Sequence, residues 1–267
     1  YGVVASALAA GKLMGLDRAQ MGHATAMAIT PNLATLQTRS GELSNWKGCA
    51  GANAARNGLF AAILAQEGFT GPDQPIEGKF GLWDMVEAFE WPLEIGKSPY
   101  RIANSHVKCF PVCYHGQTEV WTALEMRDRF ELEDIEAVKI DTYAVAKGMM
   151  ADAPSRWAPQ TPETADHSLP YVVSLALRDG GIGLDAYDDD KLFDPDLAEL
   201  MQRISVEASD EMTDAYPRTS PSRITVRLKD GSEMQNGLTY PKGHNQAPMS
   251  DAEIDAEIDA KNLKNST

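Results

Sequence analysis

The segment from Lys97 to Thr118 carries the densest group of side chains that could do chemistry. It contains no acidic residue, and it holds five lysine, arginine and histidine side chains: Lys97, Arg101, His106, Lys108 and His115. Such a cluster in an acidic protein indicates a site for an anionic ligand. Histidine also exchanges a proton near neutral pH, so the segment favours acid–base chemistry on an anion. Taken singly, each side chain has an ordinary interpretation as a solvated loop residue.

Lys47 is a second candidate, because it lies among small residues in the sequence 45–51, NWKGCAG, just before a predicted helix. Glycine and alanine let a ligand approach the backbone closely, and a helix N-terminus favours a carboxylate. We therefore predict that Lys47 binds an anion. The alternative is a lysine that extends its charge to water from the start of a helix.

Two later motifs carry further candidates. Asp166 and His167 are adjacent within a helix predicted over 166–178, so their side chains are expected to point about 100° apart and not to bond each other. Asp166 is expected to cap the helix, whereas His167 faces a cleft or forms a structural hydrogen bond. Tyr240 opens a turn, Tyr240–His244, that carries a phenol, an amine and an imidazole and could close over a site.

The cysteines give little support to a metal centre. Cys49, Cys109 and Cys113 form no C-x-x-C pair, which argues against a disulfide framework, a structural zinc site and an iron–sulfur cluster. Phosphate loops, dinucleotide-binding glycine motifs and G-x-S-x-G elbows are also missing from the sequence. We predict reduced thiols, no metal and no cofactor, and we give Cys113 no role.

Charge and composition exclude several classes of partner. The 267 residues carry 39 acidic and 24 basic side chains, a net charge of −15, which excludes nucleic acid and anionic membranes as partners for the whole chain. No apolar run approaches the roughly 20 residues of a membrane span, so a soluble protein of the cytoplasm, or of the mitochondrial matrix in a eukaryote, is expected. Because residue 1 is tyrosine and runs directly into a helical pattern, the chain is expected to be part of a longer protein.

Periodicity divides the chain near residues 96–104. The first part predicts helices over 3–14, from Asp17 to before Pro31, over 51–67 and near 84–89. The second part mixes helix and strand, with helices over 115–130, 166–178 and 195–203 and strands over 135–145, 223–229 and 232–238. An acidic helix over 251–260, capped by Ser250, closes the pattern. The fold class is therefore mainly α with an α+β part.

Four stretches in chain order resemble the MmgE/PrpD family. They are WKGCAGANAARNG at 46–58 with its following helix and turn, KCFPVCYHGQ at 108–117, DHSLPY at 166–171, and YPKG at 240–243 before an acidic helix. The resemblance covers nearly the whole chain. Family members include 2-methylcitrate dehydratase, cis-aconitate decarboxylase and an iminodisuccinate epimerase, which act on small polycarboxylates without a metal.

The resemblance implies an all-helical domain, a smaller α+β lid and an active site in the cleft between them. On that pattern, residues 1–100 are the C-terminal part of the helical domain, 101–242 are the lid, and 243–267 are an acidic helix that returns to the helical domain. Lys47 and Lys108 would bind substrate or act in catalysis, and His115 would be a polar group near the same cleft. From the chemistry of imidazole, which exchanges a proton near neutral pH, we predict that His115 is the proton-transfer group. Arg101, His167 and Tyr240 are the predicted substrate-binding residues.

Dehydration of a 2-methylcitrate-like tricarboxylate is the function that this resemblance favours. It needs a base for a proton next to a carboxylate, an acid for the departing hydroxyl and cations for the carboxylates. Decarboxylation or epimerisation of a related acid is the first alternative, and a non-catalytic fragment or assembly subunit is the second. Small-residue helix faces also suggest a homodimer, which a monomeric mass in light scattering would refute.

Overall fold

The computed structural model of the protein describes residues 1–90 and 101–256, without the side chains of residues 101 and 103. The chain divides into two compact units. The helical unit comprises Tyr1–Arg39 and Ser44–Ser98, and the α+β unit comprises Ser40–Leu43 and Pro99–Thr267. Lys97 and most of the boundary predicted at 96–104 lie outside the described residues. The assignment of 243–267 to the helical domain stays a prediction.

The helical unit follows the predicted helices closely. Its helices are α1 (Gly2–Met14), α2 (Arg18–Ile29), α3 (Trp46–Gln66) and α4 (Leu82–Val86), with a 3₁₀ turn at Leu36–Arg39. Asp17 caps α2 as predicted, since its carboxylate accepts from the Gln20 N–H at 2.8 Å and its own N–H donates to the Gln20 side chain at 3.0 Å. Helix α3 begins at Trp46 rather than Gly51, because Gly48 and Gly51 weaken a helix without ending it.

Small residues allow α1 and α3 to pack closely. The buried centre of this unit is formed by Val3, Ala7, Ala28 and Ala61. A Cβ atom placed on Gly58 of α3 would lie 2.5 Å from the carbonyl oxygen of Val3 and 2.7 Å from the backbone nitrogen of Ala7. Both contacts are with the backbone of α1, so no side-chain rotation relieves them. Glycine at position 58 therefore sets the distance between the two helices.

We expect Gly58→Ala to destabilise the protein by roughly 1–3 kcal/mol, because the added methyl group forces α1 away from α3. Gly51→Ala on the same helix is the matched control, since a Cβ atom there meets nothing within 4 Å. That variant should gain up to about 1 kcal/mol from helix propensity. Urea unfolding of the two variants side by side measures the difference, and equal stabilities would contradict the packing argument.

The α+β unit holds a four-stranded mixed sheet and the helices around it. Its strands are β1 (Ile135–Thr142), β2 (Ile204–Ala208), β3 (Ser222–Leu228) and β4 (Glu233–Leu238). Its helices are α5 (Gln117–Leu124), α6 (Ala144–Met150), α7 (Pro162–Ala165), α8 (Leu169–Asp179), α9 (Asp189–Leu192), α10 (Pro195–Gln202) and α11 (Asp210–Ala215). The strand order is β2-β1-β3-β4, with β1 and β2 parallel and the other pairs antiparallel.

One face of the sheet is buried beneath α5 and α8. Val138, Ile140, Ile224 and Val226 are fully buried on that face, and every residue of α8 from Leu169 to Leu177 is buried as well. The mainly α class with an α+β part is confirmed. Among the described residues, none of the helices has the length and apolar character needed to cross a membrane.

Several predicted boundaries in this unit were wrong. The helix predicted over 115–130 is only α5, flanked by 3₁₀ turns at Tyr114–Gly116 and Arg127–Arg129. The strand predicted over 135–145 ends at Thr142, where the chain turns into α6. Strand β2 was not predicted, because five residues give too short an alternation to detect. Ser250 caps a helical segment at 251–256 as predicted, and residues 257–260 of that prediction lie outside the described part.

Candidate functional site

The segment around Lys108 is fixed to the turn that begins at Tyr240. The Val107 N–H donates to the carbonyl oxygen of Gly243 at 2.8 Å. Gly243 has a φ of 89°, and a Cβ atom there would lie 2.2 Å from the Val107 carbonyl oxygen, so glycine is required at this position. The Cys109 thiol also donates to the carbonyl oxygen of Lys242 at 3.4 Å. Lys108 lies between Val107 and Cys109, and its side chain is exposed.

Aromatic side chains of the same two segments lie close together. The ring centroids of His106 and His244 are 3.8 Å apart, and those of Tyr240 and His244 are 4.5 Å apart. His106 Nδ1 also shares a hydrogen bond of 2.6 Å with the Tyr114 hydroxyl. Tyr240 is thus brought next to the histidine-bearing segment, and its role in binding substrate stays a prediction.

His115 sits in a hydrogen-bonded position at the start of α5. It is half-buried, and its Nδ1 lies 2.7 Å from the hydroxyl of Tyr143, the residue that follows β1. The hydroxyl of the buried Ser220 in turn bonds Tyr143. Burial, together with the positive charges of His167 and Lys108, lowers the pKa of His115 below 6.5. Its imidazole is therefore neutral at pH 7 and can accept a proton.

Asp166 and His167 do form a pair, contrary to the prediction. His167 Nδ1 is hydrogen-bonded to the Asp166 carboxylate. The prediction failed because these residues lie in the turn between α7 and α8, where Ser168 is the N-cap of α8, and not on a helix. Side chains of adjacent residues in a turn are not held about 100° apart as they are on a helix.

Cys113 completes this cluster. Its N–H donates to the carbonyl oxygen of Asp166 at 2.9 Å, and its thiol is hydrogen-bonded to the imidazole of His167. Burial alone would raise the pKa of Cys113, but the bond and charge of His167, the N–H of His115 and the charge of Lys108 together lower it below 9.0. Burial alone would also lower the pKa of His167, but its bonds to Asp166 and Cys113 raise it above 6.5. The two residues thus favour a thiolate–imidazolium pair.

Arg156 lies behind the same cluster. It is only 3% exposed, and the charges of Asp166 and Cys113 act on its guanidinium group. The Ser168 hydroxyl donates to the Arg156 carbonyl oxygen, which fixes the local backbone. Among the described residues, Nη1 of Arg156 has no hydrogen-bond partner although it is buried. A buried guanidinium nitrogen in that state is available to an anion.

The structure brings together only some of the residues that the sequence singled out. Lys108, His115 and His167 interact electrostatically within the α+β unit. Lys47 is half-buried in the first turn of α3 in the helical unit, so its role stays a prediction. Arg101 begins a 3₁₀ turn at Arg101–Asn104, and its side chain lies outside the described part. In 1–90 and 101–256, no three His, Cys, Asp or Glu side chains are grouped so as to hold a metal ion.

Sequence reasoning missed Tyr143, Ser220, Cys113 and Arg156. Tyr143 was hidden because the predicted strand ran through it to residue 145, whereas β1 ends at Thr142. Cys113 and Arg156 meet His167 through contacts between residues that are distant in the sequence, for which periodicity carries no signal. The break before Tyr143 could have been suspected from Ala144–Met150, which has helical composition.

Comparisons of the sequence with known proteins match it to one family. The MmgE/PrpD N-terminal domain matches residues 1–91, and the MmgE/PrpD C-terminal domain matches residues 110–259. A cis-aconitate decarboxylase-like protein of Aspergillus oryzae is 26% identical over 95% of this chain and 55% of its own length. An alkylcitrate dehydratase of a fungal species is 26% identical over 96% and 53%. A mitochondrial 2-methylcitrate dehydratase of Yarrowia lipolytica is 24% identical over 98% and 52%.

The chain therefore spans about half the length of the curated relatives it matches. The two domain matches together extend over almost all of the described residues, and they agree with the four motifs that first suggested the resemblance. This protein belongs to the MmgE/PrpD family.

Proposed function

We propose that this chain carries part of the acid–base site of a metal-independent hydro-lyase that dehydrates a 2-methylcitrate-like tricarboxylate. The observation that supports it most is His115, whose imidazole is held by Tyr143, half-buried and kept neutral by the neighbouring cations. A neutral, oriented imidazole beside positive charges is suited to removing a proton next to a carboxylate.

The steps of the dehydration divide among these residues. His115 is the base when its Nδ1–H donates to the Tyr143 oxygen, because the lone pair of Nε2 then takes the substrate proton. Lys108 holds a carboxylate and stabilises the enediolate charge that develops as the proton leaves. Lys47, Arg101, His167 and Tyr240 are proposed to bind the remaining carboxylates. The hydroxyl group on the adjacent carbon then takes the proton that His115 holds and leaves as water, and the product is a conjugated unsaturated acid.

Decarboxylation is the second candidate. It is favoured by the relative named as a cis-aconitate decarboxylase-like protein and by cis-aconitate decarboxylases of Aspergillus terreus and Homo sapiens, which are 24% and 23% identical to this chain. The same cations would hold the substrate. The bond between a carbon and its carboxylate would break, carbon dioxide would leave, and the carbon that keeps the electron pair would take a proton.

A substrate panel separates the candidates. The protein is incubated with 2-methylcitrate, citrate and cis-aconitate, while ultraviolet absorbance of the unsaturated acid and carbon dioxide release are followed. A rise in absorbance with 2-methylcitrate and no carbon dioxide supports dehydration. Carbon dioxide from cis-aconitate supports the second candidate and overturns the first. Activity on none of the three, from the full coding sequence, would leave a non-catalytic assembly subunit as the better interpretation.

We further propose that the protein is a homodimer and that it lies in the cytoplasm or the mitochondrial matrix. Leu59, Phe60 and Ile63 of α3 are exposed large apolar side chains, of the kind that a second subunit covers. The compartment is suggested by the relative whose name places it in mitochondria.

A further inference from the structure

Cys113 has the surroundings of a nucleophilic thiol. Its backbone bond to Asp166 places the thiol against His167, and the carboxylate of Asp166 holds that imidazole in turn. Cys113 is 7% exposed and His167 is 5% exposed, so water competes weakly for these bonds. A thiol, an imidazole and a carboxylate in this order is the arrangement that activates a cysteine for nucleophilic attack.

The groups around the thiol point to a ligand with a negative charge. Arg156 is buried with Nη1 unpartnered among the described residues, and its charge interacts with Cys113. Lys108, which is exposed, adds a second positive charge that acts on the same thiol. An orphaned guanidinium nitrogen costs stability unless a ligand fills its hydrogen bond, and a carboxylate fits it best.

We propose that Cys113, His167 and Asp166 form a nucleophilic thiol site that takes small carboxylate-bearing carbon electrophiles. The Arg156 guanidinium and the Lys108 ammonium group attract the carboxylate, and the thiolate attacks the carbon. The proton that the thiol gives up is held on the His167 imidazole, and Asp166 stabilises the resulting charge.

The thiolate reacts with two kinds of carboxylate-bearing electrophile. With a haloacetate, the sulfur forms a bond to the methylene carbon while the carbon–halogen bond breaks and its electron pair leaves with the halide. With an α,β-unsaturated acid, the sulfur bonds to the β-carbon, the π electron pair moves to the α-carbon, and that carbon takes the proton from His167. Unsaturated acids formed by the proposed dehydration belong to this class, and this one link rests on the proposed function.

The rates of two alkylating reagents test the site. Iodoacetate and iodoacetamide are similar in size and differ in charge, so the ratio of their rates removes the effect of access to the thiol. The folded full chain is treated with each reagent at pH 6, and peptide mass spectrometry follows every cysteine. We expect the iodoacetate-to-iodoacetamide ratio at Cys113 to exceed the ratio for the free thiol N-acetylcysteine, measured in the same buffer, by about fivefold or more.

Substitutions of the neighbouring side chains show which of them control the alkylation of Cys113. His167→Gln should slow alkylation of Cys113 at pH 6 by about tenfold or more and leave Cys49 unchanged. If that variant does not fold, Asp166→Asn tests the same chain of bonds from a more exposed position. Lys108→Gln should lower the ratio at Cys113. A Cys113 that stays unmodified in the folded protein, a ratio equal to that of N-acetylcysteine, or a rate that His167→Gln and Asp166→Asn both leave unchanged overturns the proposal.

Discussion

His115→Ala is expected to lower kcat for the proposed dehydration of 2-methylcitrate by about 10²–10⁴, the loss that follows removal of a positioned proton-transfer group. The physical reason is that this imidazole is neutral and oriented by Tyr143 at 2.7 Å. Absorbance of the unsaturated product measures the rate. Thermal unfolding of the same sample shows that the variant remains folded, so that a loss of activity is a loss of chemistry.

The pH dependence of kcat/KM is an independent test of His115 as the base. Protonation of a base abolishes its function, so kcat/KM should fall as pH drops through the pKa of His115. Because burial and nearby cations lower that pKa, the acid limb should lie below 6.5, and activity should persist at mildly acidic pH. A limb above 6.5 would assign the titrating base to another group.

Two further variants make the His115 result interpretable. Tyr143→Phe keeps the ring and removes the hydroxyl, so it should reduce kcat less than loss of the imidazole and move the acid limb. His23→Gln is the control, since His23 is a half-buried histidine of α2 that accepts from the Gly71 N–H and enters no proposed step. If a folded His115→Ala protein keeps kcat within a few-fold, another residue transfers the proton.

Sequence reasoning succeeded where local chemistry decides structure. The N-cap Asp17, the short connection between the strands predicted over 223–229 and 232–238, and the start of α10 at residue 195 depend on residues close together in the chain. Each appears in the structure as predicted. The grouping of Lys108 and His115 was found for the same reason, since the two lie close in the chain.

Contacts between residues distant in the sequence were beyond such reasoning. The bond from the Cys113 N–H to the Asp166 carbonyl oxygen brings two segments together that periodicity treats separately. The prediction also placed the start of α8 at residue 166, whereas α8 begins at Leu169. Asp166 and His167 therefore lie before the helix, where their side chains form a hydrogen bond instead of pointing apart. Helix boundaries are uncertain by a few residues, and at this turn such an error changes the chemistry.

Glu119 is another residue whose contacts the sequence pattern did not predict, and it lies in the core. It lies on α5, which alternation predicted only as an amphipathic helix, yet its carboxyl group is completely buried. Oε1 lies 2.6 Å from the Thr142 hydroxyl, which donates to it, and Oε2 has no hydrogen-bond partner among the described residues. Burial outweighs the Thr142 bond and raises the pKa of Glu119 to about 8. The group is therefore protonated in the folded protein at neutral pH.

This burial makes stability depend on pH in a definite direction. Below the ordinary pKa of 4.5, Glu119 is protonated in both the folded and the unfolded state, and its contribution is fully present. Between 4.5 and about 8, only the unfolded chain ionises, so the free energy of unfolding falls as pH rises. Above about 8 both states are ionised and the loss is complete. A difference of about 3.5 pKa units corresponds to a loss on the order of 5 kcal/mol.

Glu119→Gln should remove this dependence, because glutamine cannot ionise and its carbonyl oxygen can still accept from the Thr142 hydroxyl. We expect the variant to be more stable than wild type at pH 8, by on the order of 4 kcal/mol, and about equal to it near pH 4.5. Urea unfolding at both pH values measures this, followed by far-ultraviolet circular dichroism. Glu133→Gln, an exposed glutamate after α5, is the control and should shift stability by less than about 0.5 kcal/mol at either pH. If wild type and Glu119→Gln lose stability in parallel between pH 4.5 and 8, Glu119 is not the group that titrates, and its carboxyl group must be ionised or hydrated in the folded protein.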